Sequence, residues 1–128
     1  MAKGIEIRAA HFPGRAAVDA YGNGGFRFAD MSHRGSVLML PSGIYGWDMQ
    51  EGDALTEEAF EKVLAEAAGI EVLLVGTGRE IRPLPAALKA RFKESGMSSD
   101  PMSTGAAVRT FNVMLSESRA VAAALIAV

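Results

Sequence analysis

Arg109 and Asn112 are the residues whose type and spacing most readily suggest chemistry. They stand three apart in Met102-Ser-Thr-Gly-Ala-Ala-Val-Arg-Thr-Phe-Asn112, a segment that otherwise has the apolar period of a helix. Ser103 or Thr104 can cap that helix, and Val108, Phe111, Met114 and Leu115 recur as its buried face. A guanidinium and an amide beside a helix start suit a carboxylate or phosphate, because the helix dipole and the free N–H groups of the first turn favour an anion. Arg109 equally suits a structural role, pairing with Asp100 or Glu117 or capping strand-end carbonyls, or a contact with a protein partner.

Gly76-Thr77-Gly78 is the second such place, since it follows the unbroken apolar run Val72-Leu-Leu-Val75 and α/β folds bind ligands at the carboxyl ends of parallel strands. The run into a helix that a dinucleotide fingerprint needs is replaced by Arg79-Glu-Ile-Arg-Pro-Leu-Pro85, and no Gly-Lys-Ser/Thr of a P-loop follows. A tight turn that needs small residues is therefore favoured over a nucleotide site. Gly76, Thr77, Gly78, Thr104, Arg109 and Asn112 make up the candidate ligand-binding set, for a small anion, with Arg79 and Arg82 adding positive charge nearby. No residue is assigned a catalytic or metal-binding role. His11 and His33 are isolated, and none of the serines lies in Gly-x-Ser-x-Gly. Tyr21-Gly-Asn-Gly-Gly-Phe26 reads as a hairpin rather than a phosphate loop, and Trp47 as core or rim packing.

These residues need positioning elements. Short strands are expected over Ala16–Tyr21, Phe26–Phe28, Ser36–Leu40 and Ile44–Trp47, with Asn23-Gly24 as the hairpin turn and an acidic loop over Asp48–Asp53. Thr56 is a candidate cap for a helix whose face is Phe60, Val63, Leu64 and Ala67, ended by Gly69. Val72–Val75 is expected to be buried on both faces of a partly parallel sheet. Leu84, Leu88 and Phe92 mark a second helix up to Gly96, and the Arg109 helix, from about Gly105 to Leu115, is the third. Met97–Met102 is expected as a very short strand or extended loop, and Arg119–Ile126 as a returning strand, favoured by the break at Ser116-Glu-Ser118 over alanines that would prolong a helix. The expected fold is α/β: a single-domain, three-layer arrangement with a mixed central sheet of about five strands. Helices cover one face and an extra N-terminal β-layer covers the other.

The chain's 128 residues, 49% hydrophobic and 22% charged, suit one domain with a core spanning about residues 5–126. A net charge of −2 gives no field that would draw nucleic acid or an anionic membrane, so neither is expected as a partner. The chain has no cysteine, and Met1-Ala-Lys-Gly-Ile-Glu-Ile-Arg8 carries charges where an export signal needs an apolar run, so the expected compartment is the cytoplasm. Val121–Val128 is wholly apolar but far short of the ~20 residues that span a bilayer, so no membrane span is expected.

Gly22-Asn-Gly-Gly-Phe26, Val75-Gly-Thr-Gly78, Met102–Asn112 and Arg119-Ala-Val-Ala-Ala-Ala-Leu125, taken in order, resemble the domain family that includes the mitochondrial respiratory complex I assembly factor 3 proteins. The resemblance runs from about Ile5 to Ile126. It implies an α/β fold with a mixed five-stranded sheet, and it brings no established enzymatic activity and no cofactor. The family pattern often has Asp before the threonine, where this chain has Ser103, and tyrosine is common where Phe111 stands. Ser103 weakens any role requiring a carboxylate there, and a phenolic hydroxyl cannot be essential where Phe111 stands. The expectation is a non-enzymatic assembly or interaction factor, with a protein partner linked to respiratory complex assembly. The alternative is a binding protein, or a cryptic enzyme, for a small anionic metabolite at the Gly76–Gly78 and Arg109 region.

Overall fold

Val121-Ala-Ala-Ala-Leu125 is the strand on which the layers converge. In the computed structural model, which describes residues 12–128, it lies at the centre of a five-stranded sheet. The elements in order are β1 (Ala20–Gly22), β2 (Gly25–Phe28), β3 (Met31–Arg34), β4 (Ser36–Leu40), β5 (Gly43–Trp47), α1 (Glu61–Ala65), β6 (Val72–Gly76), α2 (Ala86–Glu94), β7 (Ser98–Met102), α3 (Thr104–Ser116) and β8 (Val121–Leu125). Strands β5-β4-β8-β6-β7 form the central mixed sheet, parallel at β8-β6 and β6-β7, and β1-β2-β3 form a separate antiparallel sheet. The expectations for Met1–Arg8 and His11 lie outside the described residues. No helix is long and apolar enough to cross a membrane among the described residues.

Strand alternation divides the interior into two cores. Leu38, Leu40, Leu73, Val75, Ala122 and Ala124 face one way, onto Leu88 and Phe92 of α2 and Val63 of α1. Val37, Met39, Leu74, Ala123 and Leu125 face the other way, onto Val108 and Phe111 of α3 and onto Phe26 and Phe28 of the three-stranded sheet. The fold class expected from the sequence is thus present, but not with all helices on one face: α3 shares its face with the β-layer. Chain direction explains this. The β6-α2-β7 crossover steps outward to the edge, whereas β7-α3-β8 steps back across β6. Parallel crossovers are right-handed, so steps of opposite sense put their helices on opposite faces.

Local chemistry accounts for other departures. The strand expected over Ala16–Tyr21 is confined to β1, because the backbone of Val18 pairs with the side chain of Asn112. Strand β3, unmarked by any apolar alternation, is paired through a two-residue turn in which Ala29 and Asp30 both have positive φ. That conformation suits a tight hairpin, although alanine rarely signals it. Asn23 and Gly24 make the equivalent expected turn between β1 and β2.

The helix expected after Thr56 is broken. A 3-10 turn (Glu58–Phe60) precedes α1 and another (Ala67–Gly69) follows it. Thr56 Oγ1 does accept the Ala59 N–H, but Trp47 Nε1 donates to the Ala59 carbonyl at 2.8 Å and draws it aside. The Phe60 ring is wedged edge-on against both Trp47 and Phe92, at centroid distances of 5.3 and 5.2 Å.

Leu74, at 1% exposure, lies on the α3 side of a strand covered on both faces. Leu74→Ala is expected to cost roughly 2–5 kcal/mol in chemical denaturation, and a loss well below that range would show that the α3 side collapses onto the cavity.

Candidate functional site

The switch from outward to returning crossover puts the end of β6, the start of α3 and the end of β8 side by side. Gly76, Thr77, Gly78 and Thr104 meet there, and all four are buried. Thr104 N–H donates to the Gly78 carbonyl at 2.8 Å, and the Gly78 N–H donates to Thr104 Oγ1 at 3.0 Å. The Thr104 hydroxyl donates in turn to the Ile126 carbonyl at 2.7 Å, and Ile126 N–H to the Gly76 carbonyl at 2.9 Å. Gly76 is required for this approach: a Cβ there would stand 3.0 Å from Thr104 Cα and 3.1 Å from Leu125 Cδ2. Thr77 Oγ1 lies within hydrogen-bonding distance of the carbonyls of Glu80 (2.8 Å) and Met102 (3.3 Å) and accepts the Arg82 N–H, which pins the loop after β6.

The carboxylate at the mouth of this loop belongs to the chain itself. Glu51 accepts the Arg79 N–H on Oε2 and Arg79 Nη1 on Oε1, the latter at 2.6 Å. It also lies over Gly78, where a Cβ would come within 2.7 Å of its Cγ. Arg82 Nη1 donates to the Asp53 carbonyl at 3.0 Å. Both arginines expected to lend charge to the loop therefore hold the acidic segment against it.

The remaining members of the set separate. Ser103, not Thr104, caps α3, its Oγ accepting the Ala106 N–H at 3.4 Å. Asn112 is turned to the β-layer, where its amide accepts from Val18 N and donates to Val18 O, both at 2.9 Å. Arg109 is exposed and makes neither a hydrogen bond nor an ion pair among the described residues, so the expected pairing with Asp100 or Glu117 is not formed. Its Nη1 reaches back to the first turn, 3.7 Å from the Cβ position of Gly105, where the Tyr21 hydroxyl also packs closely. Any side chain at Gly105 would strike that hydroxyl. Among the described residues no buried side-chain nitrogen or oxygen lacks a partner.

Sequence reasoning passed over Ser36 and underrated His33. Ser36 is buried at the start of β4, where its Oγ donates to the Met49 carbonyl at 2.7 Å and accepts the Ala127 N–H at 2.8 Å. His33 Nε2 lies 3.1 Å from the Ser36 carbonyl, so that nitrogen carries the ring's proton. Burial holds the His33 imidazole below its ordinary pKa, and the hydrogen bond to Ser36 only partly opposes this.

The chain belongs to the family described as protein of unknown function (DUF498/DUF598), whose model matches residues 18–126. It is similar to an uncharacterised protein of Rhodobacter capsulatus, 36% identical over 115 residues that cover 90% of this chain and 87% of that one. It is similar also to NADH dehydrogenase (ubiquinone) 1 alpha subcomplex assembly factor 3 of Mus musculus, 28% identical over 122 residues and 95% of this chain. The chain spans 66% of that relative's length. The crystal structure of an outer membrane protein from Bartonella henselae matches with a TM-score of 0.87 at 64% identity, covering 91% of this chain and 98% of that chain. The family resemblance seen in the sequence is borne out: the relatives include complex I assembly factors and bacterial proteins of unassigned function.

Two outcomes follow from this geometry. Thr104→Val keeps the shape but leaves the Gly78 N–H and the Ile126 carbonyl without their partner, and is expected to destabilise by about 1–3 kcal/mol for each group left buried. Thermal or denaturant unfolding reads this, and a neutral result would mean that water enters the junction. For His33, the folded pKa lies below the unfolded one, so its contribution to stability is complete above about pH 6.5 and is lost as pH falls from there toward the folded value. His33→Gln should flatten the pH dependence of stability below neutrality, and an unchanged slope would assign that dependence to other groups.

Proposed function

We infer that the chain is a non-enzymatic assembly or interaction factor acting in the cytoplasm, with a partner linked to assembly of the respiratory NADH dehydrogenase. The observation that carries this reading is a stripe on the outer side of α3. Gly105, Arg109 and Val113 succeed one another every fourth residue, about 6 Å apart along the axis. The Tyr21 hydroxyl packs at the Gly105 end. Tyr21 is 41% exposed and Val113 56% exposed, and the Arg109 guanidinium between them is unpaired among the described residues. An aromatic, a free guanidinium and an exposed aliphatic in line have the composition of an interface centre, where tyrosine and arginine are enriched. The similarity to the mouse assembly factor over 95% of this chain supports the same reading and supplies the partner class.

A deletion strain tests it. Assembled NADH dehydrogenase, measured on native gels, is expected to fall on deletion, to return with the wild-type chain, and to stay low with Arg109→Glu combined with Val113→Asp. Both side chains are exposed, so that pair should leave the melting temperature within a few degrees of wild type. Full assembly in the deletion strain would overturn the reading.

The free guanidinium over the first turn of α3 also favours a second reading, a small anionic metabolite held beside Arg109 and not in the Gly76–Gly78 loop, where Thr104 already bonds Gly78. A ligand at ~100 times its dissociation constant adds about 2.7 kcal/mol, which a thermal-shift panel of anionic metabolites would register. A flat panel would remove this reading and leave the first untouched.

A further inference from the structure

We propose that the outer face of the β1-β2-β3 sheet is a docking groove for an extended acidic peptide segment of a partner protein, whose alternate carboxylates pair with Arg27 and Arg34. This surface adjoins the α3 stripe at Tyr21, but its two arginines lie on other elements. Cross-strand register defines it. Ala20, Arg27 and Ser32 stand opposite one another in one row, and Gly22, Gly25 and Arg34 in the next. Phe26 and Phe28, which alternate with them, are buried beneath, so both rows face outward. The second row has no side chain on two of its three strands, and the result is a groove of about 460 Å³ over bare backbone. Glycine is fixed at these places. A Cβ on Gly25 would strike the His33 carbonyl oxygen, and Gly22 has φ of +134°.

Charge names the occupant. Arg27 and Arg34 make no hydrogen bond or ion pair among the described residues, and neither does the Ser32 hydroxyl opposite Arg27. Among the described residues no carboxylate lines the groove, although the whole chain carries a net charge of −2. Both arginines are exposed, and an anion seated between them gains charge-assisted bonds from each. Spacing favours an extended chain. Arg27 and Arg34 are diagonal neighbours on adjacent strands, which places their Cβ atoms about 7–8 Å apart or slightly less. Side chains two apart on an extended peptide emerge on one side about 6.6–6.8 Å apart. A Glu-x-Glu segment therefore meets both arginines in register, and the glycine floor leaves room for its backbone. A lone phosphate or carboxylate would leave most of the groove empty.

The test is fluorescence anisotropy with the full chain and a peptide of alternating glutamates carrying an uncharged dye. Saturable binding is expected, weakening as salt is raised and absent for the same peptide with glutamine in place of glutamate. Arg27→Glu and Arg34→Glu should each weaken binding by ~10-fold or more, since each sets like charge against the peptide. Arg27→Gln and Arg34→Gln provide the same comparison without charge reversal. Arg109→Glu should bind the peptide as wild type does, which keeps this proposal separable from the α3 reading. Equal affinity in the Arg27 and Arg34 variants, or no binding at all, would overturn the proposal. So would pyrophosphate binding in the peptide's place, which would make the groove a small-anion site. Concentration-dependent dimers abolished by Arg27→Glu would also overturn it, by giving the groove to a second copy of the chain.

Discussion

The Thr104 hydroxyl closes a ring of hydrogen bonds that joins three segments far apart in the chain, the loop after β6, the start of α3 and the end of β8. With no side chain at Gly76 the helix start moves in against the strand end. With the hydroxyl in place, the Gly78 N–H and the Ile126 carbonyl each have a partner. In a water-free setting such bonds matter chiefly through the cost of leaving them unmade, so the junction holds its geometry as a unit. This has a functional side. The crevice beyond the carboxyl ends of parallel strands is where α/β proteins ordinarily seat ligands, and here Thr104 and the Glu51 carboxylate lie across it.

The composition of β8 makes that layered arrangement possible. Ala122 and Ala124 face α1 and α2, while Ala123 faces α3 and the three-stranded sheet, so the central strand is thin on both sides. Larger groups come from the layers instead: Phe60 and Phe92 from one side, Phe26, Phe28 and Phe111 from the other. Large residues set against small ones across facing layers are what allows close packing without voids. The β-layer is then tied to this body by polar contacts as well as by Phe26 and Phe28. Gly24 N–H donates to the Val128 carbonyl, and Asn112 grips the backbone of Val18 on both sides.

The parts of the fold that were legible in the sequence are those governed by periodicity and turn chemistry. Val72–Val75, Ser36–Leu40, the Leu84-Leu88-Phe92 spacing and Asn23-Gly24 each carry a local rule, and each is realised. Gly76–Gly78 and Thr104 were grouped from the sequence and do meet, whereas Arg109 and Asn112, grouped with them, turn elsewhere. The rest depended on partners distant in sequence. Nothing local marks Asn112 as the clamp of a segment 94 residues earlier, or Trp47 as the donor that breaks the helix at Ala59. The polar duty of Ser36 depends on Met49 and Ala127, which only the folded sheet assembles. The face taken by α3 followed from chain direction, once β8 was known to lie on the far side of β6.

The arginines show how charge is divided between holding the fold and meeting others. Arg79 and Arg91 pair with glutamates, Arg82 bonds a loop carbonyl, and Arg15 bonds the carbonyls of Arg119 and Val121. The first three hold the segments between β5 and α2, where most of the chain's acids also lie. Arg27, Arg34 and Arg109 make no such bond among the described residues, and they stand on the β-layer and α3. Surface ion pairs contribute little to stability, so paired arginines are chiefly a matter of geometry. Unpaired ones at fixed backbone positions retain their full attraction for an incoming anionic group. Lys89 and Lys93 of α2 are exposed as well, so free positive charge is not confined to one side; on the β-layer it stands beside the bare glycine backbone of β1 and β2.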